Sequence, residues 1–255
     1  DHVKTLVHEQ CGLPPEQVMV NCSHTHSGPV TRWSADEGDP ESCYMRLYAR
    51  KVAGAVKMAV DDLGPARIGA ARAEVQVGIN RRERTPEGGT KLGRNPDLPV
   101  APYVDVYRVD SDEGRLRAIL FSHACHPVTM AADNYLISAD YPGKAQQVVE
   151  AVFPDSQAMF AQGCAGNINS EPVGGTFDDV DRLGTILGGA VVKAAASVRS
   201  ASGVSLRWAF EPLRIPLQDP PPAEEARAQL EAAQARVQQA TASGDGGAAK
   251  VHAGL

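Results

Sequence analysis

Aromatic residues make up only 5% of this 255-residue chain, while Ala and Val are abundant. That balance disfavours an aromatic-rich β-sandwich and favours helices packed on a sheet. Runs of Lys or Arg are also missing, and the net charge is -6. Nothing here would displace counterions from a phosphate backbone, so nucleic acid is excluded as the main partner, and acidic membrane surfaces are disfavoured for the same reason. No apolar run approaches the roughly 20 residues needed to span a bilayer. The five cysteines, Cys11, Cys22, Cys43, Cys125 and Cys164, contain no CxxC pair. They make neither a zinc ribbon nor an evident disulfide framework, and most are expected to be small buried hydrophobes.

What is present is an apolar run, Val18 to Cys22, that leads into Ser23-His-Thr-His-Ser-Gly-Pro29. Read as a strand, it places His24 and His26 on one face and Thr25 on the other, with Ser27, Gly28 and Pro29 opening a turn. Two imidazoles leaving one face at a strand end suit a divalent metal such as zinc. An HxH pair alone fits a surface or hydrogen-bonded arrangement equally well. A second motif, Ser122-His123-Ala-Cys-His126-Pro127, again ends a predicted strand, so four of the seven histidines fall in two short motifs.

The remaining pattern is α/β, a mixed β-sheet core flanked by helices. Val3, Leu6 and Val7 recur at helical spacing up to the Gly12 and Pro14 stop. Residues 31–40 read as a polar loop containing Trp33, either a substrate rim or an ordinary connection. Glu41 to Leu63 reads as a helix with one buried stripe that includes Tyr44, Leu47 and Tyr48. Period-two alternation from Ala66 to Ile79 gives one or two strands, and Arg84 to Pro102 reads as a surface loop. Val104–Val109 and Leu116–Phe121 form a predicted hairpin across Asp112-Glu-Gly114.

A helix is expected over Lys144–Val152, with Pro142 suited to its start, and a short strand over Ala158–Phe160. Residues 162–172 form a Gly- and Asn-rich loop bearing Asn167 and Asn169, the kind of loop that lets backbone approach a ligand. Asp178–Val198 is a helix whose Gly184, Gly188 and Gly189 suit close packing, and Val204–Leu217 reads as one or two strands. After Pro220-Pro-Pro222 the composition shifts to Ala, Glu and Gln. We therefore expect a domain over residues 1–217 and an Ala-rich helical appendage with a flexible end over 218–255.

Three strand-to-loop junctions thus carry polar candidates, and ligands of open α/β sheets collect at strand ends. A shared metal there would act as a Lewis acid, favouring a hydrolase. Two or three histidines leave a catalytic zinc site short of a carboxylate. Asp140 could supply one, or could equally cap the helix that follows it.

Taken together, Ser23–Pro29, Ile79-Asn-Arg81, Asn95-Pro96, Val104-Asp-Val106, His126-Pro127, Leu136 to Gly143 and Gln162-Gly-Cys-Ala-Gly166 resemble, in order, motifs of the neutral/alkaline non-lysosomal ceramidase family. The resemblance covers roughly residues 1–215 and falls in that family's N-terminal catalytic domain. It implies zinc-dependent cleavage of the amide of N-acylsphingosine, or of a related N-acyl lipid or small molecule, by an activated water. It further implies His24 and His126 as metal ligands, His26 as a neighbour that hydrogen-bonds substrate, and Arg81 lining the site. Secretion or a periplasmic location is compatible with it.

Two departures stand out. Asn169 occupies the place of a family serine with a catalytic role, and an amide is no nucleophile. Ser170 lies one position away. The family's remaining ligands, a glutamate and a tyrosine, are expected beyond Leu255. The competing readings are a ceramidase-like module with an incomplete metal site and a histidine cluster that is purely structural.

Overall fold

The computed structural model describes residues 2–31, 40–130, 134–217 and 219–242. The predicted 31–40 loop with Trp33 and the predicted flexible end after Ser243 lie outside the described residues, apart from Thr31 and Pro40. The chain divides into two units, residues 1–209 and 210–255.

In the first unit, a hairpin of β4 (Tyr103–Ser111) and β5 (Leu116–His123) forms the centre of a four-stranded sheet. Strand β1 (Ala66–Glu74) pairs antiparallel with β4, and β6 (Gln157–Gln162) pairs parallel with β5, giving the order β1-β4-β5-β6. A parallel neighbour needs a crossover, and α3 (Asp140–Val152) supplies it. Alternation along the central strands sends Val104, Val106, Ile119 and Phe121 inward, where all four are fully buried. They share one core with Tyr141, Ala145 and Val149 of α3 and with Leu183, Leu187 and Val191 of α4 (Phe177–Ser197). A capping box starts α4: Thr176 accepts from the Asp179 backbone and the Asp179 carboxylate accepts from the Thr176 backbone.

A second, three-stranded antiparallel sheet has the order β3-β2-β7, from β2 (Gly78–Arg84), β3 (Thr90–Asn95) and β7 (Ile168–Ser170). Helices α1 (His2–Cys11) and α2 (Pro40–Asp61) pack on each other, with Val7, Ala49 and Ala53 buried. The architecture is mixed α/β, with a mixed sheet flanked by helices. In the second unit, α5 (Ala223–Ala242) occupies most of the described residues.

Several sequence expectations are corrected. Residues 18–25 form no strand. The Asn21 side chain takes the place of a ladder, donating to the Gln162 carbonyl at 3.1 Å and accepting from the Gln162 amide at 2.8 Å. A side-chain amide thus satisfies the outer edge of β6 at its last residue, and Met19 remains 84% exposed. The 84–102 loop contains β3, and the glycine loop contains β7, because both pair with β2.

Residues 204–217 carry strand-like alternation but have no regular structure. Leu206, Leu213 and Leu217 are exposed, and no ladder partner for them exists among the described residues. Tyr48 and Leu47 face solvent, so the buried side of α2 is built from small residues, not tyrosines. Of the five cysteines only Cys125 is buried; Cys22, Cys43 and Cys164 are exposed in loops or on the outer side of α2. Helix α3 begins at Asp140, one turn before the predicted start.

Helix α4 meets α3 through glycine. A Cβ at Gly184 would overlap the Lys144 side chain and the Tyr141 carbonyl oxygen, whereas one at Gly189 meets nothing within 4 Å. Gly184→Ala should therefore destabilise the protein by about 1–3 kcal/mol through overpacking. Gly189→Ala should stabilise it by roughly 0.5–1 kcal/mol through helix propensity. Urea midpoints of the two variants against the parent check both signs.

Candidate metal centre

Strands β5 and β6 end level with one another, His123 opposite Gln162. Beyond them the chain turns twice, through Ala124–Thr129 and through the glycine loop. His126 sits in the first turn and is pinned to the second: its backbone N–H donates to the Ile168 carbonyl at 3.0 Å, and its Nδ1 lies 2.6 Å from the Ala165 carbonyl and 3.2 Å from that of Ile168. Carbonyls only accept, so Nδ1 carries the proton and Nε2 is left with a lone pair, the state a metal ligand requires.

His24 and His26 come to the same place by a route other than the predicted strand pleat. His24 adopts a left-handed backbone, φ 64°, and a bend follows over residues 26–28. The loop is anchored from the neighbouring segment. The Thr25 hydroxyl donates to the Ser138 carbonyl at 2.8 Å, the Ser138 amide donates to the Ser27 carbonyl at 2.9 Å, and the His26 amide donates to the Pro127 carbonyl at 3.3 Å. The result is a cluster of three imidazoles, His24, His26 and His126, whose nearest ring nitrogens all lie within 4.8 Å of one another.

The donor set is compatible with a metal ion: each imidazole offers one ring nitrogen, and His24 and His126, the two ligands expected from the sequence, have ring centroids 4.6 Å apart. His24 and His26 are exposed and His126 is buried, so the cluster is walled on one side and open on the other. Burial lowers the pKa of His26, aided by His24, His126 and Arg81 and opposed by Asp140. Burial also lowers His126, with the Ala165 carbonyl acting in the opposite sense.

Arg81 and Asn169 complete the surroundings. Arg81 Nη1 lies 3.5 Å from His126 Nε2 and donates to Asn169 Oδ1 at 3.2 Å, while its Nε donates to the Gly166 carbonyl at 3.1 Å. The two strands that carry them touch directly: a Cβ at Gly78 would overlap the Asn169 carbonyl oxygen and Cys125 Sγ. All five sequence-selected residues, His24, His26, His126, Arg81 and Asn169, are therefore brought together.

Other candidates are not part of this cluster. His123 is buried, with Nδ1 2.8 Å from the Tyr103 carbonyl, a packed position. Asn167 uses its backbone carbonyl to receive the Arg81 amide at 2.8 Å. Ser170 is buried and donates to the Pro172 carbonyl at 3.2 Å. Asp140 lies outside the imidazole set. Its buried carboxylate accepts from the Tyr141 amide at 2.7 Å and the Met130 amide at 3.3 Å from within the first turn of α3, whose N-cap is Ala139, while its field still reaches His26. The carbonyls of Ala165 and Ile168, which set the His126 tautomer, were not identified from the sequence, because main-chain groups carry no residue signature.

Metal uptake has a definite pH sign. Binding needs neutral imidazoles, and the lowered pKa values of His26 and His126 keep both neutral below the ordinary 6.5. Zinc affinity should therefore hold as pH falls from 8 to about 6.5 and drop only below that. The His24→Ala, His126→Ala double variant should lose at least about 100-fold in affinity. Competition against a chromogenic chelator across pH measures both.

No family model matches the chain, and no curated protein sequence matches it. Solved structures do. The neutral ceramidase from Pseudomonas aeruginosa superposes with a TM-score of 0.61 at 21% identity, over 77% of this chain and 35% of that one. A ceramidase complexed with C2 gives a TM-score of 0.62 at 21% identity, over 77% of this chain and 33% of that one. The chain spans about a third of the length of these structures. The imidazole cluster is thus carried by a neutral-ceramidase-like fold.

Proposed function

We propose that this chain belongs to a zinc-dependent amidohydrolase that cleaves the amide bond of an N-acyl substrate, N-acylsphingosine or a related lipid or small-molecule amide. The observation that carries the reading is the convergence of three imidazoles at the ends of two parallel strands, in a fold shared with neutral ceramidases. His24 and His126 would hold the ion. A bound zinc ion supplies Lewis acidity that makes water nucleophilic near neutral pH. Zinc would be the cofactor, and the partner a small-molecule or lipid amide.

The chain's own side chains account for the rest. His126 is locked in one tautomer by Ala165, which keeps Nε2 unprotonated. His26, whose pKa is lowered by partial desolvation and by the neighbouring His24, accepts a proton from water or returns it to the leaving amine. Arg81 is a permanent cation 3.5 Å from His126 Nε2, placed to stabilise negative charge developing on the carbonyl oxygen. Asn169 can donate hydrogen bonds but takes no part in proton transfer, so the reaction proceeds without a nucleophilic side chain.

One observation favours a second reading, a binding module with an incomplete site: no carboxylate joins the imidazole cluster among the described residues. Hydrolysis separates the two. The full-length protein, assayed on a panel of N-acyl lipids and simple N-acyl amides, should cleave at least one of them. Arg81→Met should lower kcat by about 100–1000-fold with zinc content unchanged, and the double histidine variant should lose both zinc and turnover. Zinc bound with no cleavage across the panel would leave the binding-module reading.

A further inference from the structure

A cleft of about 570 Å³ lies against the second sheet, lined by Ile79, Leu92, Pro172 and Val173 and by Asn169. Register explains why Asn169 belongs both to the cleft and to the metal centre. Ile79 and Asn169 are directly opposed on β2 and β7 and share a face, and Arg81 follows Ile79 on that face two residues later. Asn169 also forms a parallel bridge with His126. A largely apolar cleft, with the Arg94–Glu171 ion pair in its wall, and a cationic, imidazole-lined site therefore meet at a single amide.

The orientation of that amide is fixed. Arg81 has only donors, so the Asn169 end facing it must be Oδ1, at 3.2 Å. The opposite flip would set an NH2 against a guanidinium. Nδ2 is consequently turned away from Arg81.

We infer that Asn169 is the specificity-determining residue of this site, donating through Nδ2 to the carbonyl oxygen of a substrate whose acyl chain lies in the cleft. This deepens the amidohydrolase reading by assigning the acyl half of the substrate to the cleft and leaving the amine half outside it. A carbonyl or carboxylate satisfies the donors. An alkylammonium does not: it brings only donors of its own and a positive charge toward Arg81. Sites built around a specific hydrogen bond reject analogues that lack the partner.

Binding to the metal-free protein tests this without turnover. The probes are N-methyloctanamide, octanoate and octylammonium, with hexanoyl and decanoyl homologues of the amide, titrated by calorimetry. The amide and octanoate should bind at least about tenfold more tightly than octylammonium, and amide affinity should rise by about fourfold per added methylene. Asn169→Asp, which keeps an acceptor for Arg81 but loses the donors, should weaken the amide by about tenfold. Leu92→Ser should flatten the chain-length series and leave the order of head groups intact.

Equal binding of amide and ammonium by the parent protein would overturn the inference, as would an Asn169→Asp variant that binds the amide unchanged. If that variant does not fold, as judged by circular dichroism, the head-group order in the parent protein decides. Failure of zinc uptake or of hydrolysis would count against the amidohydrolase reading alone, because these titrations involve neither.

Discussion

One hydrogen bond fixes what the site can be. The 2.6 Å contact from His126 Nδ1 to the Ala165 carbonyl joins the turn after β5 to the loop after β6, and in the same act decides which ring nitrogen is left for a ligand. Without it the imidazole could present either tautomer. With it, the parallel pairing of β5 and β6 is transmitted into the orientation of one lone pair. The crossover through α3 serves the same end, because only a buried helix, with Tyr141, Ala145 and Val149 all inaccessible, holds the two strand ends level.

The first histidine pair reaches this point by different means. Its loop has no ladder and relies on side chains standing in for backbone: Asn21 against Gln162, Thr25 against Ser138. Such an arrangement leaves His24 and His26 exposed while His126 is buried. A molecule approaching from solvent meets His24 and His26 first.

The sequence was most readable where periodicity and burial coincide. The β4–β5 hairpin and helix α4 follow from alternation and helical spacing, since each buries one continuous face, whereas α2 was legible as a helix but not in the face it buries. Residues 204–217 show the limit: their alternation is as regular as that of β4, yet the pattern states only that one face is apolar and says nothing of what covers it. Strands β3 and β7 were hidden for the opposite reason. Their six and three residues are polar or glycine-rich, and they become strands through pairing with β2, not through propensity. The site residues were legible as residue types, because histidine and arginine announce chemistry. What positions them was not, since the deciding groups are carbonyl oxygens and a left-handed backbone at His24.

Gly78 shows how far such positioning extends. Because no side chain stands there, β2 rests directly on the Asn169 carbonyl and the Cys125 sulfur, and Arg81, three residues along the same strand, inherits its distance from His126. The spacing between a cation and a candidate metal ligand is therefore governed at a position that touches neither. Any methyl group introduced at Gly78 would act as a wedge, forcing β2 away from β7 and from the turn after β5 and carrying the guanidinium with it. In that sense the electrostatics of the site are tuned by an atom the sequence omits.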